Sequence, residues 1–197
     1  MKWLHKTITN SRTYQLSWRP NKSNIDDHKN LSHAQLRRLP AEVIIDAVHQ
    51  ATAANQMIDN VGTNVATRKI SQHPRSYQTR SIDYSLLVFG KSLRSSNCDC
   101  ERNPSPTLPQ SLYLRNDGEL LKLIDRPDGW LQELSQQKNI DAKLMIKQAY
   151  LRTLSRLPTA TESKTSIAHI DEAAKPLDGV RDLLWALINT QEFIANR

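Results

Sequence analysis

The segment that most constrains this chain lies near its end, where Val180, Leu183, Leu184, Leu187 and Ile188 stand three or four residues from one another along a helical period that Ile194 continues. At about 100° per residue these positions share one side of an α-helix, whereas a strand would divide them between two faces. Trp185 widens the stripe, and the spacing predicts a helix over 178–194. So apolar a face has to be covered by other elements. The chain supplies helices for that purpose. Only five Gly occur in 197 residues, runs of Val, Ile and Thr are scarce, and Leu, Ala, Gln, Lys and Arg recur at helical spacing.

Two further stripes fit the same reading. After Pro40, placed as the first residue of a helix over 41–54, Val43, Ile44, Ala47, Val48 and Ala51 align, with Glu42, Asp46 and His49 opposite. Over 141–156, Ile146, Ala149, Tyr150, Thr153 and Leu154 align, with Leu157 just beyond. Pro158 stops that helix, and Thr159-Ala160-Thr161-Glu162 supplies a cap and a first-turn carboxylate for the next, through Ala174. Shorter helices are expected over 3–8, over 32–38 with Ser32 as cap, over 82–89 ending at Gly90, over 108–116 capped by Thr107, and near 119–124 and 130–137. Residues 10–30 read as an extended connector and 59–80 as a long loop. The expected fold is all-α, an irregular multi-helix bundle with long ordered loops, in one domain over 1–197 with a sub-boundary near 103–107. Trp3, Leu4 and Ile8 share a helical face with no capping residue before them, so the domain is expected to be N-terminally truncated.

The charge is unevenly placed. Residues 1–98 hold 14 Lys+Arg against 6 Asp+Glu, a balance of +8, whereas 99–197 hold 13 against 14, a balance of −1. Such asymmetry points to an anionic partner, either a glycan or an acidic protein surface. The cations are dispersed and accompany no nucleic-acid-binding motif, so nucleic acid is not an expected partner. The longest clean apolar run, Leu183–Ile188, is far short of the roughly 18 residues of a membrane helix, so no transmembrane segment is expected. The basic start, with Lys2 and Lys6, has no apolar stretch behind it of the kind an export signal carries.

Three groups of residues carry candidate chemistry. Cys98 and Cys100 are two thiols spaced to hold a soft metal, or to form a strained and reducible disulfide; the plain alternative is two reduced thiols in a turn. A structural zinc site would need further ligands, such as His73. Glu42, Asp46 and His49, at i, i+4 and i+7, bring two carboxylates and an imidazole to one helix face. That set suits acid–base catalysis or a hard metal, or it is a solvated surface paired with Arg37 and Arg38. Tyr14, Trp18 and Arg19 offer an aromatic and basic patch for stacking on a sugar or base, or an anchor for the connector. No Gly-rich phosphate loop, nucleophile elbow or His-Glu-x-x-His helix is present, so no recognised catalytic motif supports an enzyme.

Five blocks occur in order: Asn10-Ser-Arg-Thr-Tyr-Gln-Leu-Ser17, Arg37-Arg-Leu-Pro-Ala-Glu42, Phe89-Gly90 with Cys98-Asp-Cys-Glu-Arg102, Tyr150-Leu-Arg-Thr-Leu-Ser-Arg-Leu-Pro-Thr159, and Asp182-Leu-Leu-Trp-Ala-Leu-Ile-Asn-Thr-Gln-Glu-Phe193. Together they resemble the planctomycete-specific domain of unknown function. The resemblance implies a C-terminal position in exported proteins, behind a second uncharacterised domain and often a cytochrome-c-like domain. It therefore implies a cell-envelope setting, no cofactor in this chain and haem in an upstream domain. The chain departs from the family at Lys91-Ser92, where Arg-Pro is usual, and at Arg197, where His is usual. The expected function is that of a non-catalytic accessory module contacting upstream domains of the same protein or an anionic polysaccharide. A redox or metal module at Cys98 and Cys100, and a component of a glycan-processing hydrolase, are the alternatives.

Overall fold

A computed structural model of the protein describes residues 1–27, 29–55, 86, 88–90, 110, 118–137 and 141–196. The chain forms two compact units, one of 1–39 with 195–197 and the other of 40–194. The second holds every buried apolar side chain among the described residues. Among the described residues its helices are α2 (Ala41–Thr52), α3 (Gly118–Ile124), α4 (Trp130–Ser135), α5 (Ala142–Leu154), α6 (Ala160–Glu172), α7 (Pro176–Ile188) and α8 (Gln191–Ile194). The first unit holds α1 (Lys2–Thr9) and a two-stranded antiparallel ladder of β1 (Arg37–Arg38) and β2 (Ala195–Asn196), with Arg37 opposite Asn196. The all-α class is as expected. No helix among the described residues is long and apolar enough to cross a membrane.

The centre of the second unit is α7, which packs on α5 and α6 and also meets α3 and α4. Its stripe buries Val180, Leu184, Leu187 and Ile188. Pro176 starts the helix, where a missing N–H costs nothing. The helix expected to reach 194 breaks at Asn189 and Thr190. Asn189 Nδ2 donates to the Trp185 carbonyl at 2.8 Å and Thr190 Oγ1 to that of Leu187 at 2.7 Å. These side chains bond back onto the last turn, and the chain turns before α8 places Phe193 in the core.

The neighbouring helices begin as their sequences require. Asp141 accepts from the Lys143 amide at the head of α5, and Thr159 with Glu162 forms a reciprocal capping box on α6. The stop after α5 uses Ser155 at φ 54°, and Gly90 takes φ 82°, the left-handed conformation expected of it.

Two expectations are corrected. Helix α2 meets both α3 and α5, so it buries more than one stripe. Ile45 and Asp46 lie inside with Ile44, Val48 and Ala51, while Val43 and Ala47 are half-buried. Residues 32–38 form no helix; Leu39 precedes Pro40, whose ring disfavours helical backbone in the residue before it, and Arg37–Arg38 pair as a strand instead. The expected boundary at 103–107 lies outside the described residues, and the division between units falls at Leu39 and Pro40.

Candidate interaction surface

The first unit is built without a core of its own, since none of its described side chains is buried. In α1 the sequence separates two faces sharply. At about 100° per residue, Trp3, Leu4, Thr7 and Ile8 fall on one side and Lys2, His5, Lys6 and Thr9 on the other. Trp3 is 75% exposed, Leu4 46% and Ile8 49%. Thr7 Oγ1 donates to the Trp3 carbonyl at 3.0 Å, so its hydroxyl is spent within the helix and its methyl group completes the apolar side.

Beyond α1 the connector is held by short local bonds. Ser11 Oγ donates to the Ile8 carbonyl, and Gln15 Nε2 reaches back to that of Thr9. The Asp27 carboxylate accepts from the backbone amides of Lys29, Asn30 and Ser32 at 3.0, 2.7 and 3.1 Å. A hydrogen bond from the Ser32 side chain, first, and then these amide bonds hold it well below the usual carboxylate range, and it stays ionised. Asp27 borders a shallow open hollow with Lys22, Ile25, Asp26 and Lys29. With both oxygens engaged by the chain, Asp27 acts as a loop clasp. Residues 1–39 carry eight Lys or Arg against two Asp, a balance of +6 out of the chain's +7. Tyr14, Ile25, Leu31 and Leu36 are exposed among these cations.

The residues singled out from sequence fall in several places. Tyr14 is exposed; Trp18 is half-buried, with the Arg19 guanidinium 5.4 Å from its ring centre. Arg19 therefore already occupies one face of that indole. Of the acid–base candidates, which the helical period places together on an outer face, Glu42 is half-buried, Asp46 is 8% exposed and His49 lies in solvent. Each of them makes an interaction within the chain. Among the described residues no group of three or more His, Cys, Asp or Glu is placed to hold a metal ion. Cys98, Cys100 and His73 lie outside the described residues.

Two arginine centres in the second unit have no signature in the sequence. Arg152 stacks 4.7 Å over the buried Trp130 ring and donates to the Ala53 carbonyl at 2.8 Å and to Asn55 Oδ1. Asn55 in turn donates twice to the Glu133 carboxylate. Burial lowers the Arg152 guanidinium to about 10, so it remains charged at neutral pH. Arg156 bonds two carboxylates, Glu162 and Glu192, at 2.6–2.9 Å. These arrangements serve as ties between helices.

The family model described as PSD1, a protein of unknown function (DUF1553), covers residues 1–170. No curated protein and no solved structure matches.

Proposed function

This chain belongs to the PSD1 family of proteins of unknown function (DUF1553), and we propose that it is a non-catalytic interaction module that holds an anionic surface through its first 39 residues. The observation that carries this reading is the pairing of charge with exposed apolar side chains. Nearly all of the net charge lies in 1–39, in a unit whose described residues bury no side chain and expose Trp3, Tyr14, Ile25 and Leu31. Isolated apolar residues on a surface are ordinary, but a unit made of them and of cations suits a partner that offers both negative charge and apolar contact. The second unit, with its own core, is the scaffold.

The setting proposed for the module is an exported, multidomain protein of the cell envelope, with a cytochrome-c-like domain as a neighbour. The likeness of the five ordered blocks to the planctomycete domain supports that setting. An acidic domain of the same polypeptide, an acidic polysaccharide and a lipid headgroup layer share the required negative charge.

Binding of the full chain to polygalacturonate and to anionic phospholipid vesicles tests the reading. Replacing Arg12, Arg19, Lys22 and Lys29 with Gln is expected to weaken retention about tenfold or more. Replacing the exposed Lys147, Lys164 and Lys175 of the second unit should change it little. Salt well above physiological strength should release the native chain, because exposed charges are screened over about 8 Å at physiological strength and over less as salt rises. Equal sensitivity to both sets of substitutions, or binding indifferent to salt, would count against the module as described.

A further inference from the structure

We propose that α1 lies in the plane of an anionic lipid surface, with Trp3, Leu4 and Ile8 directed to the acyl boundary and Lys2 and Lys6 at the headgroups. This rests on the anionic-surface reading and names the surface. An eight-residue helix is about 12 Å long, against a hydrocarbon core of roughly 30 Å, so α1 lies on a bilayer and does not span it. What favours lipid is how completely the helix separates its faces. The apolar side is continuous, and Thr7 has turned its hydroxyl back onto the Trp3 carbonyl. A glycan rich in hydroxyl groups would find few hydrogen-bonding partners there, chiefly the Trp3 indole N–H.

The cations sit where a headgroup layer needs them. Lys2 and Lys6 are one turn apart on the opposite side, and long basic side chains reach a charged plane while their helix sinks below it. Trp3 suits the interfacial depth, where an apolar ring and a polar N–H are both accommodated. A helix of two turns anchors weakly by itself, and stable attachment takes a second signal. Arg12, Arg19, Lys22 and Lys29, all exposed in the same unit, supply that signal as further cations for the headgroups. A protein groove would demand a longer row of anchors in fixed register, whereas a lipid surface requires none.

The test is co-sedimentation of the full chain with vesicles of phosphatidylcholine alone and of phosphatidylcholine with about one-third phosphatidylglycerol, at about 0.1 M salt. The native chain should favour the anionic vesicles by about tenfold or more. Replacing Trp3 and Ile8 together with Ala, or Lys2 and Lys6 together with Gln, should each lower binding about tenfold. The melting temperature should not move, because these side chains lie outside the core. Quenching of indole emission by brominated lipid should fall in Trp3→Phe. Equal binding to both vesicle types, or native-like binding by the Trp3 and Ile8 variant, overturns the proposal. Retention on polygalacturonate without vesicle binding overturns the lipid assignment and keeps the anionic-surface reading. Failure to bind either removes both.

Discussion

At the scale of single residues, Arg156 ties three elements of the second unit together. It follows α5 by two residues and clasps Glu162 in the first turn of α6 and Glu192 in α8, while its guanidinium lies 5.5 Å from the Tyr150 ring centre. A lysine could not reproduce this, since only a planar fork presents paired donors to two carboxylates. Side-chain exposures of 30% for Arg156, 32% for Glu162 and 16% for Glu192 leave the cluster partly in water, so its worth is well below that of a fully buried network. We expect Arg156→Met to lower unfolding free energy by about 1–3 kcal/mol in urea titration at neutral pH. The same cluster predicts a pH dependence. Arg156, first, and then the Thr159 backbone and side chain lower the Glu162 carboxyl from 4.5 to about 2. A depressed carboxyl stabilises the fold above its unfolded value, and that stabilisation is lost as pH falls from about 4.5 through about 2. Over that window Arg156→Met should have a flatter stability profile than the native chain. Parallel profiles would show that Arg156 is not what holds the carboxyl ionised.

At the scale of elements, α6 and α7 cross closely at Gly179. A methyl group at Gly179 would lie 2.8 Å from the Ile170 Cα and 3.1 Å from its Cγ1. Because the first of these is backbone, a rotamer change cannot relieve it; the helices would have to separate. Gly179→Ala should therefore destabilise the protein by about 1–3 kcal/mol, despite the better helix propensity of alanine. A thermal melt unchanged or raised by this substitution would contradict the close crossing. Nothing in the sequence marks Gly179 as a contact point, because a lone Gly in a helix says only that space is free. What is legible in the sequence is local. The stripe of α7, the Thr159–Glu162 box and the left-handed Gly90 each depend on residues within a few positions of one another. The break at Asn189 and Thr190 is missed because an apolar period continues through it to Phe193 and Ile194. The inward turn of Asp46 is missed because the period of α2 cannot reveal that two helices cover it. The ties Arg156–Glu192, 36 residues apart, and Arg152–Asn55, 97 apart, leave no spacing to read. For the candidate surface, the face of Trp3, Leu4 and Ile8 and the basic bias are both legible, whereas the absence of any core beneath them requires coordinates.

At the scale of the whole chain, stability and charge are assigned to different units. The second contains all the buried apolar side chains among the described residues, from Ala41 to Phe193, whereas the first has most of the net charge. This separation has a consequence for local opening, which tracks buried apolar contact. An isolated helix of two turns is marginal in water, because the cost of nucleation is spread over few hydrogen bonds. The amides of α1 should therefore exchange with deuterium through local opening of little free energy, while those of α7 exchange only on global unfolding. Anionic vesicles should slow exchange in α1 and leave α7 unchanged, since a bilayer shields the apolar side and disfavours unpaired backbone groups next to it. Hydrogen-exchange mass spectrometry over peptides from the two helices measures both effects. If α1 in the free chain is as protected as α7, its apolar face is already covered in solution and has no need of a surface to bind.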